Sequence, residues 1–181
     1  MPKLPVNGDL EVRSAISEER ATILHVVRTA FATGGRDGRE ELDIVEAVWR
    51  LHAVCDHLEL VATTDGTVAG YVLGSWGDLE GRAVVGVAPL AVAPRSQRLG
   101  VGSALMAALI ERADGLQLPL LVLLGDPGYY RRFGFVASAP LGIRYEPAGP
   151  QSPHFQVRRL SAFNESFRGD YRYAWETPRS M

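Results

Sequence analysis

The chain has 181 residues, a formal net charge of −2 and 46% apolar residues, a composition typical of a globular protein with one substantial core. The near-neutral charge disfavours a nucleic-acid-binding protein, which normally carries a basic stripe. The sequence shows neither an apolar run of bilayer length nor a signal-peptide core, so we expect a cytoplasmic protein without a membrane partner.

The N-terminal part of the chain predicts a tail, a short strand and a helix. Residues 1–9 are rich in proline, glycine and polar groups and predict a flexible tail before a single domain over residues 10–181. Leu10–Arg13 favours a short strand. Ser17 is the expected N-cap of an amphipathic helix that Gly34-Gly35 ends. Its apolar residues recur at helical spacing, at Ile23, Val26, Val27, Ala30 and Phe31.

A second helix is predicted from about Glu40 to Val54, with Cys55 at its end. A single cysteine cannot form an internal disulfide, and we expect this one to be a buried apolar residue, not a nucleophile. His52 and His57 lack the spacing of a zinc site, so no metal is expected.

The middle of the chain changes to strand periodicity. Leu58–Thr64 and Thr67–Trp76 flank Asp65-Gly66, a strong indication of a β-hairpin. Gly77–Arg82 predicts a further turn, and Ala83–Val92 predicts a strand. Pro89 lies inside that strand and indicates a sheet edge or a bulge, because proline cannot donate to the ladder.

The remaining elements alternate between helix and strand. Gly100–Ala113 predicts a helix, and the apolar Leu118–Leu124 predicts a central strand buried on both faces. Pro127–Phe133 favours a short helix, and Phe155–Leu160 and Tyr171–Trp175 favour late strands. This order predicts an α/β (α+β) domain built around a mixed sheet, because regular βαβ units are missing.

The turn before the helix at Gly100 is a candidate anion site. A helix start leaves backbone N–H groups unpaired and carries partial positive charge. Gly100 and Gly102 allow a phosphate to approach the backbone, and Arg95 and Arg98 add positive charge. The P-loop pattern is absent, and Leu105 stands where a dinucleotide fingerprint requires glycine.

Two strings carry a family resemblance. Gln97-Arg98-Leu99-Gly100-Val101-Gly102 resembles the Gln/Arg-x-x-Gly-x-Gly/Ala signature of the GNAT acyltransferases, and it follows Val92-Ala93-Pro94 as expected for that family. Tyr130-Arg131-Arg132-Phe133-Gly134-Phe135 is similar to the family's Tyr-x-x-x-Gly-Phe element. The string from Gly125 to Tyr130 resembles a bacterial subgroup of predicted N-acetyltransferases.

The resemblance implies a GNAT-like fold, with a mixed, mostly antiparallel central sheet flanked by helices and splayed between its fourth and fifth strands. Acetyl-CoA, the implied cosubstrate, enters that opening. Backbone groups of Leu90, Ala91 and Val92 are expected to hold its pantetheine arm. Backbone N–H groups of the following turn are expected to hold its pyrophosphate, at Gln97, Arg98, Leu99, Gly100, Val101, Gly102 and Ser103.

Tyr130 is the expected general acid, because it has the family's spacing to Gly134-Phe135 and a tyrosine is protonated at neutral pH. Aromatic packing of Tyr130 over the cofactor and an acid role for Tyr129 are the alternatives. No general base is identified, since the fourth strand contains no acidic residue. The base is either water leading to bulk solvent or one of Glu41, Glu46, His52, Asp78, Glu80 and Asp126.

The resemblance implies N-acetyltransferase activity, in which an acetyl group moves from acetyl-CoA to a small-molecule or peptide amine. A non-catalytic acyl-CoA-binding module on the same scaffold and an unrelated α+β domain are the other two hypotheses. The aromatic residues of 147–181 are expected to form closing strands, with the acceptor pocket or a homodimer interface as alternatives.

Overall fold

The computed structural model describes residues 9–176, which form a nine-stranded mixed sheet with helices on both faces. The main sheet order is β1-β2-β3-β4-β5-β8-β6, and β9 joins β3 and β7. Among the strands of residues 9–176, only β4–β5 and β7–β9 pair in parallel. The helices are α1 (Arg20–Phe31), α2 (Arg39–Arg50), α3 (Val101–Gly115) and α4 (Pro127–Tyr130). The strands are β1 (Leu10–Ser14), β2 (Val54–Thr64), β3 (Thr67–Leu79), β4 (Arg82–Val92), β5 (Leu120–Leu124), β6 (Val136–Ala137), β7 (Ile143–Arg144), β8 (Phe155–Arg159) and β9 (Gly169–Tyr173). The predicted α+β class with a mostly antiparallel sheet is confirmed.

The two faces of the sheet hold separate cores. On one face α3 packs its buried Leu105 and Leu109 against β2 and β4. On the other face α1 and α2 pack against Tyr71 and Leu73 of β3. Because side chains alternate along a strand, Ser75 and Gly77 of β3 lie on the same face as Tyr71 and Leu73.

The start of α1 differs from the prediction. A short 3₁₀ turn over Ser17–Glu19 precedes the helix, and the Ser17 hydroxyl donates to the neighbouring Glu18 carboxylate instead of capping. The Glu19 carboxylate accepts from the Ile16 N–H at 3.2 Å and from the Arg13 guanidinium at 2.6 and 3.0 Å. The charged pair with β1 therefore fixes where the helix begins.

The end of α2 also differs from the prediction. The helix stops at Arg50, not near Val54, and His52 adopts a φ of 51°. Cys55 lies in β2, where its side chain is buried against the α3 face. It is buried, as expected, and burial raises the pKa of the Cys55 thiol to about 12, so the thiol is inert at neutral pH.

Two tight turns join β2, β3 and β4. The predicted Asp65-Gly66 hairpin is confirmed, with φ values of 50° and 74°. The predicted turn over Gly77–Arg82 is too long, because β3 continues to Leu79 and the turn is Glu80-Gly81.

The C-terminal segment closes the sheet beside β3. β2 pairs with β3 only as far as Ser75, and β9 takes its place with Tyr173 opposite Gly77 and Tyr171 opposite Leu79. The predicted closing strands are confirmed with shifted bounds. The predicted flexible tail lies outside the described residues except for Asp9.

Candidate functional site

The sheet opens between β4 and β5. These strands pair at only two positions, Val85 with Leu121 and Gly86 with Val122. Between Val87 and Leu90 the register of β4 against β3 shifts, so of the two predicted possibilities, a sheet edge or a bulge, Pro89 marks a bulge. The predicted splay between the fourth and fifth strands is confirmed.

The open part of β4 remains extended. Leu90, Ala91 and Val92 pair with β3 on one side, while β5 has diverged from the other. The Gln97 side chain donates to the Val92 carbonyl at 3.1 Å and so ties the following turn to the strand end. An extended ligand arm can therefore lie along this edge of β4 and bond to its backbone.

The turn from Gln97 to Gly102 presents a helix N-terminus. Arg98 and Gly100 have φ values of 62° and 89°, and α3 begins at Val101. An arginine with left-handed backbone dihedrals is uncommon and strained, and such residues often occur in ligand-binding loops. The free N–H groups of the first turn of α3 suit an anion, and no acidic residue stands in that turn.

The short helix α4 faces this turn across the opening. Asp126 caps it by accepting from the Gly128 N–H at 2.8 Å. The hydroxyl of Tyr129 approaches Gly102 and Ser103. α4 therefore places a tyrosine directly against the start of α3.

Tyr130 is wedged beside the opening, on the β5 side. Its ring packs against the backbone of Gly125 and edge-on against Phe135. Burial, with Tyr129 and Asp126 nearby, raises the pKa of Tyr130 above its usual value. The structure thus brings the predicted acid, the predicted turn and the open edge of β4 to one place.

Residues that the sequence did not single out line the floor of the opening. Gly77 and Gly86 approach the tyrosines of β9 closely, and a β-carbon on Gly86 would meet the Tyr171 hydroxyl and lie 2.6 Å from Cε1 of Tyr173. Neither glycine has a positive φ, so both are needed for space and not for backbone conformation. Gly86, inside the predicted strand Ala83–Val92, was the available indication in the sequence, whereas Gly77 was assigned to a turn.

Four of the six candidate bases have other partners, and the remaining two are exposed. Glu41 pairs with Arg36, Asp78 lies 3.5 Å from Arg172, and the Glu80 carboxylate accepts from a backbone N–H of β9. Asp126 caps α4, and Glu46 and His52 are exposed.

Two carboxylates missing from that set have defined partners. Glu59 accepts from Trp49 and Tyr71, and Glu176 accepts from the Tyr145 hydroxyl and, at 3.0 Å, from the Tyr173 N–H. Through the Tyr173 N–H, Glu176 lies next to the floor of the opening, whereas Glu59 is bonded to Trp49 and Tyr71 of the α1–α2 core.

Residues 25–135 match the model of the acetyltransferase (GNAT) family. The chain belongs to the GNAT family. Its sequence is 39% identical over 107 residues to an uncharacterized N-acetyltransferase, YhbS of Escherichia coli. That match covers 58% of this chain and 64% of the relative's length, so the chain spans less than two thirds of the curated relative.

Solved structures of GNAT proteins share the whole fold. The E. coli YhbS structure in complex with CoA has a TM-score of 0.81 and 30% identity, covering 94% of this chain and 92% of that one. A Brucella melitensis GNAT acetyltransferase in complex with acetyl-CoA has a TM-score of 0.77 and 29% identity, covering 94% and 100%. This GNAT chain therefore shares its fold with two structural neighbours that bind CoA or acetyl-CoA.

Two features are absent from residues 9–176. That part of the chain contains no group of three or more side chains that could hold a metal ion. Within the same range, none of the helices is both long and apolar enough to cross a membrane.

Proposed function

We propose that this single-domain protein transfers an acetyl group from acetyl-CoA to the nitrogen of an amine acceptor. The observation that carries the proposal is the convergence of three features at one opening. These are the unpaired edge of β4, the glycine turn at the start of α3, and the tyrosines of α4.

The cosubstrate would occupy this opening in an extended form. Backbone groups of Leu90, Ala91 and Val92 would bind the pantetheine arm as a further strand binds a sheet edge. N–H groups from Gln97 to Ser103 would bind the pyrophosphate, with help from the helix dipole. The exposed Arg95 and Arg98 would add a salt-dependent attraction.

Tyr130 would act on the departing thiolate. In the reaction the amine nitrogen forms a bond to the thioester carbon and the carbon–sulfur bond breaks. The sulfur then needs a proton or a strong hydrogen bond, which Tyr130 can supply because a tyrosine is protonated at neutral pH and burial raises its pKa further. Its location beside the opening, on α4, supports this role.

Proton removal from the acceptor would go through water to bulk solvent. An ammonium group with a pKa of ~10 costs about 4 kcal/mol to deprotonate at pH 7, so a route is needed. β4 carries no acidic side chain. This feature also favours the second candidate, a module that binds acyl-CoA without catalysis.

Two measurements on the purified full chain test the proposal. Acetyl-CoA should raise the melting temperature, and free CoA thiol should accumulate when a panel of small amines and peptides is added. A melting shift without thiol release from any acceptor would favour the binding module. The absence of a melting shift at saturating acetyl-CoA would contradict both candidates.

A further inference from the structure

Unpartnered hydroxyl groups collect on one side of the opening. Among residues 9–176, five buried side-chain polar atoms lack a hydrogen-bond partner, and three of them are the hydroxyls of Ser75, Tyr171 and Tyr173. Buried polar groups are nearly always paired, because leaving one unpaired costs stability. Three such groups together indicate a place where a polar molecule binds.

Strand register places the three hydroxyls on the same face. Ser75 lies directly opposite Gly86, and Tyr173 lies directly opposite Gly77. Residues directly opposite each other in a sheet share a face, as do alternate residues of one strand. The rings of Tyr171 and Tyr173 therefore lie across Gly77 and Gly86, on the α1–α2 face.

This group lies at the point where the strands part. Gly86 is the last β4 residue that pairs with β5. Leu124, at the end of β5, and Tyr130 both lie close to the Tyr173 hydroxyl. Tyr173 and the proposed acid Tyr130 therefore both lie near the point where β4 and β5 part.

The groups around the floor of the opening favour a ligand whose nitrogen carries N–H groups. A hydroxyl can accept from an N–H and also donate to a lone pair. The Glu176 carboxylate, held by the Tyr145 hydroxyl and the Tyr173 N–H, puts a negative charge beside the group. That charge favours a cationic or hydrogen-bond-donating ligand over an anion.

We propose that Ser75, Tyr171 and Tyr173 form the acceptor subsite, in which the Tyr173 hydroxyl accepts a hydrogen bond from the reacting nitrogen of a primary amine. The subsite rests on the proposed function and deepens it by naming where the acceptor nitrogen lies. Tyr173 orients the nitrogen towards the thioester carbon. The bonds formed and broken, and the loss of the nitrogen's proton to water, remain as proposed above.

Phenylalanine variants separate this role from a structural one. Tyr173→Phe keeps the ring and removes an unpartnered hydroxyl, so its melting temperature should not fall and its acetyl-CoA affinity should not change. Its KM for methylamine, measured by thiol release, should rise about tenfold, because one hydrogen bond to the acceptor is lost. Tyr171→Phe should show a smaller change in the same direction.

Tyr71→Phe is the matched control. Its hydroxyl donates to Glu59 at 2.8 Å in the α1–α2 core, so the variant should melt lower and keep the wild-type KM. An unchanged KM in Tyr173→Phe, with wild-type thiol release measurable, would overturn the subsite and leave the proposed function intact.

A crystal structure with acetyl-CoA tests the subsite even without turnover. Ordered water, or methylammonium after soaking, should lie within hydrogen-bond distance of the Tyr173 hydroxyl and be lost in Tyr173→Phe. A hydroxyl paired only with protein atoms, or facing an empty space, would overturn the subsite. A wild-type protein that binds no acetyl-CoA would instead overturn the proposed function.

Discussion

The hydroxyl oxygen of Tyr129 lies 2.6 Å from the position that a β-carbon on Gly102 would occupy. Gly102 is in the first turn of α3, and Tyr129 is in α4. The two elements flank the opening between β4 and β5, so this approach sets their separation. A side chain at position 102 would displace Tyr129.

Gly102→Ala should weaken acetyl-CoA binding about tenfold, because Tyr129 must move and α4 moves with it. Isothermal titration calorimetry measures the change. Gly115→Ala is the control, since Gly115 ends the same helix and has no atom within 4 Å of an added β-carbon. Equal affinities in both variants would show that the Gly102–Tyr129 approach plays no part in binding.

Tyr130→Phe should lower kcat by about 10²-fold, the lower end for loss of a general acid, while the dissociation constant of acetyl-CoA stays the same. Because burial raises the pKa of Tyr130, the wild-type acid remains protonated past the ordinary tyrosine value of ~10. The pH profile of kcat should therefore show no decline below pH ~10. A decline centred between pH 7 and 9, or full activity in the variant, would exclude Tyr130 as the acid.

Glu19→Gln should reduce the free energy of unfolding by about 1 kcal/mol, because it removes the charge of a helix-start carboxylate that holds Arg13 and the Ile16 N–H. The Arg13 guanidinium lowers the pKa of the Glu19 carboxyl in the folded protein. Stabilisation from such a group is complete above the unfolded pKa of ~4.3 and is lost as the pH falls through the lower folded value.

Urea unfolding at several pH values checks the Glu19 prediction. The difference between wild type and Glu19→Gln should be constant from pH 7 to about 5 and shrink below pH ~4. Glu18→Gln, which removes an exposed neighbour bonded to Ser17, should change stability little. A difference that grows on acidification would contradict the assigned pairing.

Cys55 should not react with thiol reagents in the native protein at pH 8. Burial raises its pKa to about 12, so the nucleophilic thiolate is scarce and the sulfur is inaccessible. Titration with a chromogenic disulfide reagent should give no fast phase before urea is added and one thiol per chain afterwards. One equivalent of rapid native reaction would show that Cys55 is exposed.

The sequence predicted the features that depend on local chemistry. Asp65-Gly66 identified a turn because its residues tolerate positive φ. The apolar helical pattern after Gly100 identified α3, which begins at Val101. The amphipathic pattern located α1, whose Ile23, Val26 and Val27 are buried. The opening itself was expected only through the resemblance to GNAT proteins.

Features set by distant contacts were not predictable in the same way. Gly77 suggested a turn, but it is a strand residue that leaves room for tyrosines of β9, far along the chain. Glu80 has a φ of 52°, which its residue type does not favour, so the true turn was missed. The floor hydroxyls Ser75, Tyr171 and Tyr173 come together only once β9 has joined β3.

Hydrogen–deuterium exchange of the full chain, with and without acetyl-CoA, tests most directly whether the opening between β4 and β5 binds the cosubstrate. We expect slower exchange with acetyl-CoA in peptides covering residues 87–92 and 97–103, and unchanged exchange in β1 and the first residues of β2. Unchanged exchange in both peptides at saturating acetyl-CoA, or protection confined to another part of the chain, would contradict this expectation.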